Sequence, residues 1–119
     1  MRTGKYDLEE RTFQFAKKVA RFVRKLPRTI SNIEYSKQVV RASGSVGANY
    51  IEVNESLSKK DFSMRIKISR KEAKETAYWL RLSRPSDVQL GTKQQLMKEA
   101  DELKRIFSSL IDKSELSDN

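Results

Sequence analysis

The sequence predicts an all-α fold, an antiparallel up-down-up-down bundle of four helices in a single domain spanning 1–119. Three observations lead there. Apolar residues recur every three or four positions in four separate segments, which is a helical period and not the alternation of a strand. Ser, Thr, Asp, Gly and Pro fall between those segments as start and stop signals, with connections short enough to fold each helix back on its neighbour. No stretch carries a β-hairpin signal.

The first segment spans residues 8–26. Leu8, Phe15, Val19, Phe22 and Leu26 form its inner stripe, and Phe13, Ala16, Ala20 and Val23 widen it. Asp7 and Glu10 fit an N-terminal cap, and Pro27 disfavours helical geometry in the residue before it. At about 1.5 Å per residue the segment is about 28 Å long, a suitable bundle length.

The second segment spans 32–55, with Ser31 and Glu34 as a capping box. Ile33, Val40, Ser43, Gly47, Tyr50 or Ile51, and Asn54 trace one face. Its middle is rich in small residues, including Gly44 and Gly47. Each interior glycine costs about 1 kcal/mol relative to alanine, so a helix continuous through them packs closely on a neighbour; a bend between them is the competing reading. Ser43, Gly44, Gly47, Asn49, Tyr50 and Trp79 are the expected packing residues, with Asn49 either a buried hydrogen-bonding group or an exposed one.

Ser58 and Asp61 cap the third segment, which ends at Pro85. Phe62, Ile66, Ser69, Ala73, Thr76 or Ala77, and Leu80 form its stripe, broadened by Ile68, Trp79 and Leu82. The fourth has two possible starts, a short first turn at Ser86 or a capping box of Thr92 with Gln95. Leu96, Ala100, Leu103, Phe107 and Leu110 face inward beside Met97, Ile106 and Ile111. The tails 1–6 and 114–119 are expected to fray. Phe13, Met97, Ile106 and Trp79 either extend the core or meet another subunit, which makes a homo-oligomer plausible.

Composition narrows the chemistry. The chain has 119 residues, 25 Lys and Arg against 16 Asp and Glu, a net charge of +9, and neither histidine nor cysteine. Histidine acid–base catalysis, a cysteine nucleophile, disulfides and Cys/His zinc sites are excluded. Glu52 with Glu55 and Glu72 with Glu75 lack the histidines of a ferritin-like centre, and their simpler reading is helix-surface pairing such as Lys71 with Glu75. An all-carboxylate magnesium site is the alternative reading of these acids. The stretch Gly44-Ser45-Val46-Gly47 lacks the Gly-Lys-Ser/Thr of a phosphate loop. The expectation is no enzyme, no cofactor and no metal. With no apolar run long enough to span a bilayer and no leader pattern, it is also a cytoplasmic, non-membrane protein.

The charge is uneven. Residues 59–84 carry nine basic against three acidic residues, and 8–28 seven against two, whereas 92–112 balance four with four. On the first helix Lys17, Arg21, Arg24 and Arg28 share a ridge by spacing; on the third, Lys60, Lys67, Arg70, Lys71 and Lys74 do. If these ridges are contiguous, phosphates are their natural partners, and binding is to backbone or shape because no base-reading motif is present. The expected function is a non-enzymatic homo-oligomer that binds RNA or DNA through this surface. The alternative is a structural or adaptor protein acting through protein–protein contacts.

The stretch Arg41-Ala42-Ser43-Gly44-Ser45-Val46-Gly47-Ala48-Asn49-Tyr50-Ile51-Glu52, its continuation to Phe62, and Lys71-Glu72-Ala73-Lys74-Glu75-Thr76-Ala77-Tyr78-Trp79-Leu80 resemble a bacterial four-helix bundle family. That family includes proteins encoded in intervening sequences of 23S ribosomal RNA genes. Some relatives continue with an Ile-Ala-Glu-Gly-like run where Ile51-Glu52-Val53-Asn54-Glu55 stands here. The resemblance implies a four-helix subunit that forms a ring-like pentamer, with no assigned catalytic residues. More distantly the chain is similar to the accessory protein of diversity-generating retroelements, a basic pentameric barrel that associates with a reverse transcriptase and nucleic acid.

Overall fold

Four helices follow one another along the chain: α1 (Lys5–Arg24), α2 (Ile30–Ile51), α3 (Lys59–Leu82) and α4 (Leu90–Leu116). The computed structural model describes residues 5–116, and the side chains of all of these except 5–7, 54 and 116. The helices run up-down-up-down. Helix α3 packs extensively on both α2 and α4, and α1 packs on α2 and more sparsely on α4, so α1 and α3 occupy diagonal corners. Among the described residues no helix is long and apolar enough to cross a membrane.

The stripe expected on α1 is buried throughout: Leu8, Phe15, Val19, Phe22 and Leu26 all lie in the core. The helix starts at Lys5, so Asp7 falls inside it and is not its cap; the Asp7 side chain lies outside the described residues. Backbone bonds from Lys25 N to Phe22 O and from Leu26 N to Val23 O close the helix ahead of Pro27.

Helix α2 corrects two expectations. Its N-cap is Thr29, whose Oγ1 accepts from Asn32 N at 3.1 Å, so Ser31 is already helical and the Ser31/Glu34 box does not form. Its buried residues are Asn32, Val39, Ala42, Ser43, Val46 and Tyr50, while Ile33, Val40 and Ile51 are exposed. The inner face is thus displaced by one residue at Ile33 and Val40, Ser43 and Tyr50 lie on it as expected, and the Asn54 side chain lies outside the described residues.

The helix is continuous through both glycines, and only Gly47 explains itself by packing. A Cβ there would sit 2.9 Å from Thr12 Oγ1 and 3.2 Å from Thr12 Cβ, whereas one at Gly44 meets nothing within 4 Å. Gly44 is therefore not a close-packing residue, contrary to expectation. Of the other expected packing residues, Ser43 is buried and donates to Val40 O, and Asn49 is half-buried and donates to Ser45 O, tying one turn of its own helix. Tyr50 is buried with its ring 6.1 Å from that of Phe107. Trp79 is half-buried between Tyr35 and Tyr78.

After α2 a 3₁₀ turn, Glu52–Glu55, leads into α3. The expected cap forms there: Ser58 Oγ accepts from Asp61 N, and Asp61 Oδ2 accepts from Leu57 N. Ile66, Ser69, Ala73, Thr76 and Leu80 are buried as expected, and Ser69 Oγ donates across to Val46 O at 3.0 Å. A second 3₁₀ turn, Asp87–Gln89, precedes α4, with Ser86 at its N-cap position and without a side-chain capping bond. Thr92 lies inside α4, so the Thr92/Gln95 start is not used. Leu96, Ala100, Leu103, Phe107 and Ile111 are buried, and Leu110 is partly so. The helix extends through residues 114–116, and the tails 1–4 and 117–119 lie outside the described residues.

At the end of the bundle where both other connections lie, Asn32 joins them. Its Nδ2 donates to Pro27 O and to Arg84 O, and its Oδ1 accepts from Arg84 N, each at 2.9 Å. Lys93 Nζ adds bonds to Arg81 O and Ser83 O, both at 2.9 Å, satisfying carbonyls at the C-terminal end of α3. Partial burial and the nearby Arg84 charge hold the Lys93 ammonium below its ordinary pKa.

Candidate nucleic-acid interface

The two basic ridges are not contiguous. Because α1 and α3 sit at diagonal corners, their outward faces point to opposite sides of the bundle. The α1 ridge also divides. Arg28 is not on the helix but in the connection after Pro27, and with Arg24 it joins Lys37 around a depression of about 310 Å³ between α1 and the start of α2. Lys17 stands 5.4 Å over the Phe13 ring. Arg21 faces the other way, into the space between α1 and α4.

On α3 much of the charge is already engaged. Lys67 pairs with Glu115 at 3.0 Å, and Lys71 pairs with Glu75 at 3.9 Å. Arg70 is half-buried and donates to Ser108 Oγ at 3.3 Å. Lys60 and Lys74 are exposed, and among the described residues neither has an acid partner. Glu72 and Glu75 are both held by Arg41, at 3.5 and 3.2 Å. Among the described residues no group of three or more acids is placed to hold a metal ion.

The most developed basic feature is the groove of about 600 Å³ between α1 and α4. It exists because these two helices pack sparsely. Its floor is apolar, formed by Phe15, Phe22 and Leu96, all buried in the core. Its first wall presents Lys18 and Arg21 of α1, three residues apart on one helix face, and Lys25 in the turn that closes the helix. All three are exposed, and among the described residues none is within ion-pair distance of an acid. Its other wall presents the uncharged Gln89, at the end of the 3₁₀ turn before α4, and Thr92 and Gln95 of α4.

One end of the groove is closed by a charge cluster. Arg11 Nε and Nη2 donate to the two oxygens of Glu99 at 2.7 and 2.8 Å, and Nη2 also donates to Glu102 at 3.0 Å. The Glu99 hydrogen bonds hold the Arg11 guanidinium above its already high pKa, so Arg11 is a fixed, neutralised cation. Of the groove's cations only Arg21 belonged to the expected ridge. Spacing in the sequence does not single out Lys18 and Lys25, because Lys17-Arg21-Arg24-Arg28 and Lys18-Arg21-Lys25 are equally regular rows. Only the position of α4 separates them.

A second depression, of about 660 Å³, lies between α1 and α2 and is mainly apolar. Phe13 and Ile51 line it with more than half of their surfaces exposed, at 56% and 54%. Gly44, Gly47, Ala16 and Ala48 leave its centre shallow and free of long side chains.

Comparisons with known proteins agree with this architecture. A solved structure from Bacteroides thetaiotaomicron, described as a protein of unknown function from the S23 ribosomal protein family, superposes with a TM-score of 0.74 at 27% sequence identity, over 87% of this chain and 96% of that one. No curated protein matches the chain. The family model of the 23S rRNA-intervening sequence protein matches residues 5–109, nearly the full set of described helices. This four-helix bundle therefore belongs to the 23S rRNA-intervening sequence protein family.

Proposed function

We propose that the protein is a non-catalytic, homo-oligomeric helical scaffold of the cytoplasm that binds RNA or DNA backbone through the basic surface of α1. The observation that carries this reading is the row of Lys18, Arg21 and Lys25, three exposed cations without acid partners among the described residues. Exposed, unneutralised cations release counterions when they meet phosphates, which is the main source of sequence-independent affinity. The resemblance to the retroelement accessory protein supports the same reading, and so does the net charge of +9.

Oligomerisation rests on the α1/α2 depression. Phe13 and Ile51 are large apolar groups that each keep more than half of their surface exposed, and the small residues between them admit a closely approaching helix. The resemblance favours a pentamer, in which each subunit repeats the basic face. The same apolar depression favours the second reading, an adaptor whose partner is another protein.

A salt-resolved titration against mixed nucleic-acid substrates tests the proposal. Binding that weakens steeply with salt, and a shallower slope after neutralising Lys18, Arg21 and Lys25, is the expected result. Absence of binding even at low salt refutes it. Sedimentation over a broad concentration range tests assembly, and a strictly monomeric species refutes that part.

A further inference from the structure

We propose that the α1/α4 groove takes a single nucleic-acid strand, with phosphates along α1 and sugars and base edges toward α4. The inference rests on the nucleic-acid reading above and assigns the class of strand. Its basis is the asymmetry of the two walls. Lys18, Arg21 and Lys25 form one wall, and Gln89, Thr92 and Gln95 the other. A ligand suited to the groove needs anionic groups along one edge and neutral hydrogen-bonding groups along the other. A single strand has that profile. A duplex presents phosphates on both outer edges and turns its base edges into its own grooves.

The dimensions agree. From Lys18 to Arg21 the helix rises about 5 Å, and Lys25 follows in the turn that closes it. That places a short run of successive phosphates against one wall. The buried floor of Phe15, Phe22 and Leu96 keeps the ligand between the helices and prevents it from passing through them. The exposed cations of α3 without an acid partner among the described residues, Lys60 and Lys74, lie on the diagonal helix and are not placed to grip the second backbone of a duplex. The amides of Gln89 and Gln95 each donate and accept, so they pair with any base edge or with a sugar hydroxyl. Recognition by this wall is tolerant of sequence.

The experiment is fluorescence anisotropy on the full chain, using a labelled single-stranded oligonucleotide of mixed sequence and its duplex of equal length, across a salt series. Circular dichroism of each variant confirms that it is folded. The single strand is expected to bind about tenfold tighter, the equivalent of two hydrogen bonds to neutral groups. Lys18→Gln, Arg21→Gln and Lys25→Gln together should lower the log–log salt slope by about 2 for each subunit engaged. Gln89→Ala with Gln95→Ala should abolish most of the preference for the single strand and leave the slope unchanged. Equal or tighter binding of the duplex overturns the strand assignment while leaving the nucleic-acid reading in place. A preference that survives the glutamine changes overturns the role of the α4 wall. No binding of either form overturns both readings.

Discussion

Replacing Asn32 with alanine should remove about 3 kcal/mol of stability. The side chain is 1% exposed and makes three hydrogen bonds of 2.9 Å to the backbone of two connections. A net hydrogen bond contributes about 1 kcal/mol, and its loss leaves Pro27 O, Arg84 O and Arg84 N without that partner. A domain of this size has about 6–18 kcal/mol in total, so the loss is a large share. It corresponds to a fall of about 12 °C in the thermal midpoint. Urea denaturation followed by the fluorescence of Trp79, the single tryptophan, measures it directly. Asn32→Asp separates bonding from shape. It keeps the acceptor for Arg84 N but turns a carboxylate toward two carbonyl oxygens. That variant should be at least as unstable as the alanine at pH 7 and should recover as the acid is protonated toward pH 4. A loss below about 0.5 kcal/mol for Asn32→Ala would refute the reasoning, since it would place the three bonds among ordinary surface effects.

The two glycines of α2 should respond with opposite signs. Gly44→Ala, with open space at its Cβ, should stabilise the helix by about 1 kcal/mol. Gly47→Ala should destabilise by about 1 kcal/mol net, because overpacking against Thr12 exceeds the gain in propensity, and Thr12→Ala should relieve much of it in a double-mutant cycle. Burial, and secondarily the charge of Glu9, pushes the Tyr50 hydroxyl up to about 12. Below pH 10 both states keep that proton; between pH 10 and 12 the unfolded state loses it first, so stability should fall by about 2–3 kcal/mol across this window. Denaturation curves of Tyr50→Phe should lack that component. Glu99→Gln should weaken the Arg11 clasp by about 1 kcal/mol, less at high salt, and free a cation at the groove, so oligonucleotide affinity should rise in an anisotropy titration.

The all-α architecture was legible because α1, α3 and α4 each carry one dominant apolar row. In the first segment all five expected inner residues are buried, four on α1 and Leu26 just after it. Helix α2 was not legible in detail, for a physical reason. Val39 and Val40, and Tyr50 and Ile51, are adjacent apolar pairs, so periodicity alone does not select the inner member. The choice is made by tertiary contacts: Asn32 reaching Arg84, Val46 receiving Ser69, and Gly47 meeting Thr12. A polar Asn32 at the core end and an apolar Ile33 outside it run against the simple rule that places apolar residues inward. The charge excess on α1 and α3 is likewise visible in the sequence, but whether the two ridges meet is set by the packing order of the helices. An up-down-up-down order separates alternate helices across the bundle diagonal.

The thin packing between α1 and α4 has a consequence for cooperativity. Helix α3 is held on two sides, whereas α1 depends mainly on α2. The free energy needed to open each helix should therefore differ, and amide hydrogens of α1 should exchange faster than those of α3. A strand lying in the groove would touch α1 and α4 together and act as the missing contact between them. Its binding should slow exchange throughout α1, and any change that loosens α1 should weaken the strand's hold by the same free energy.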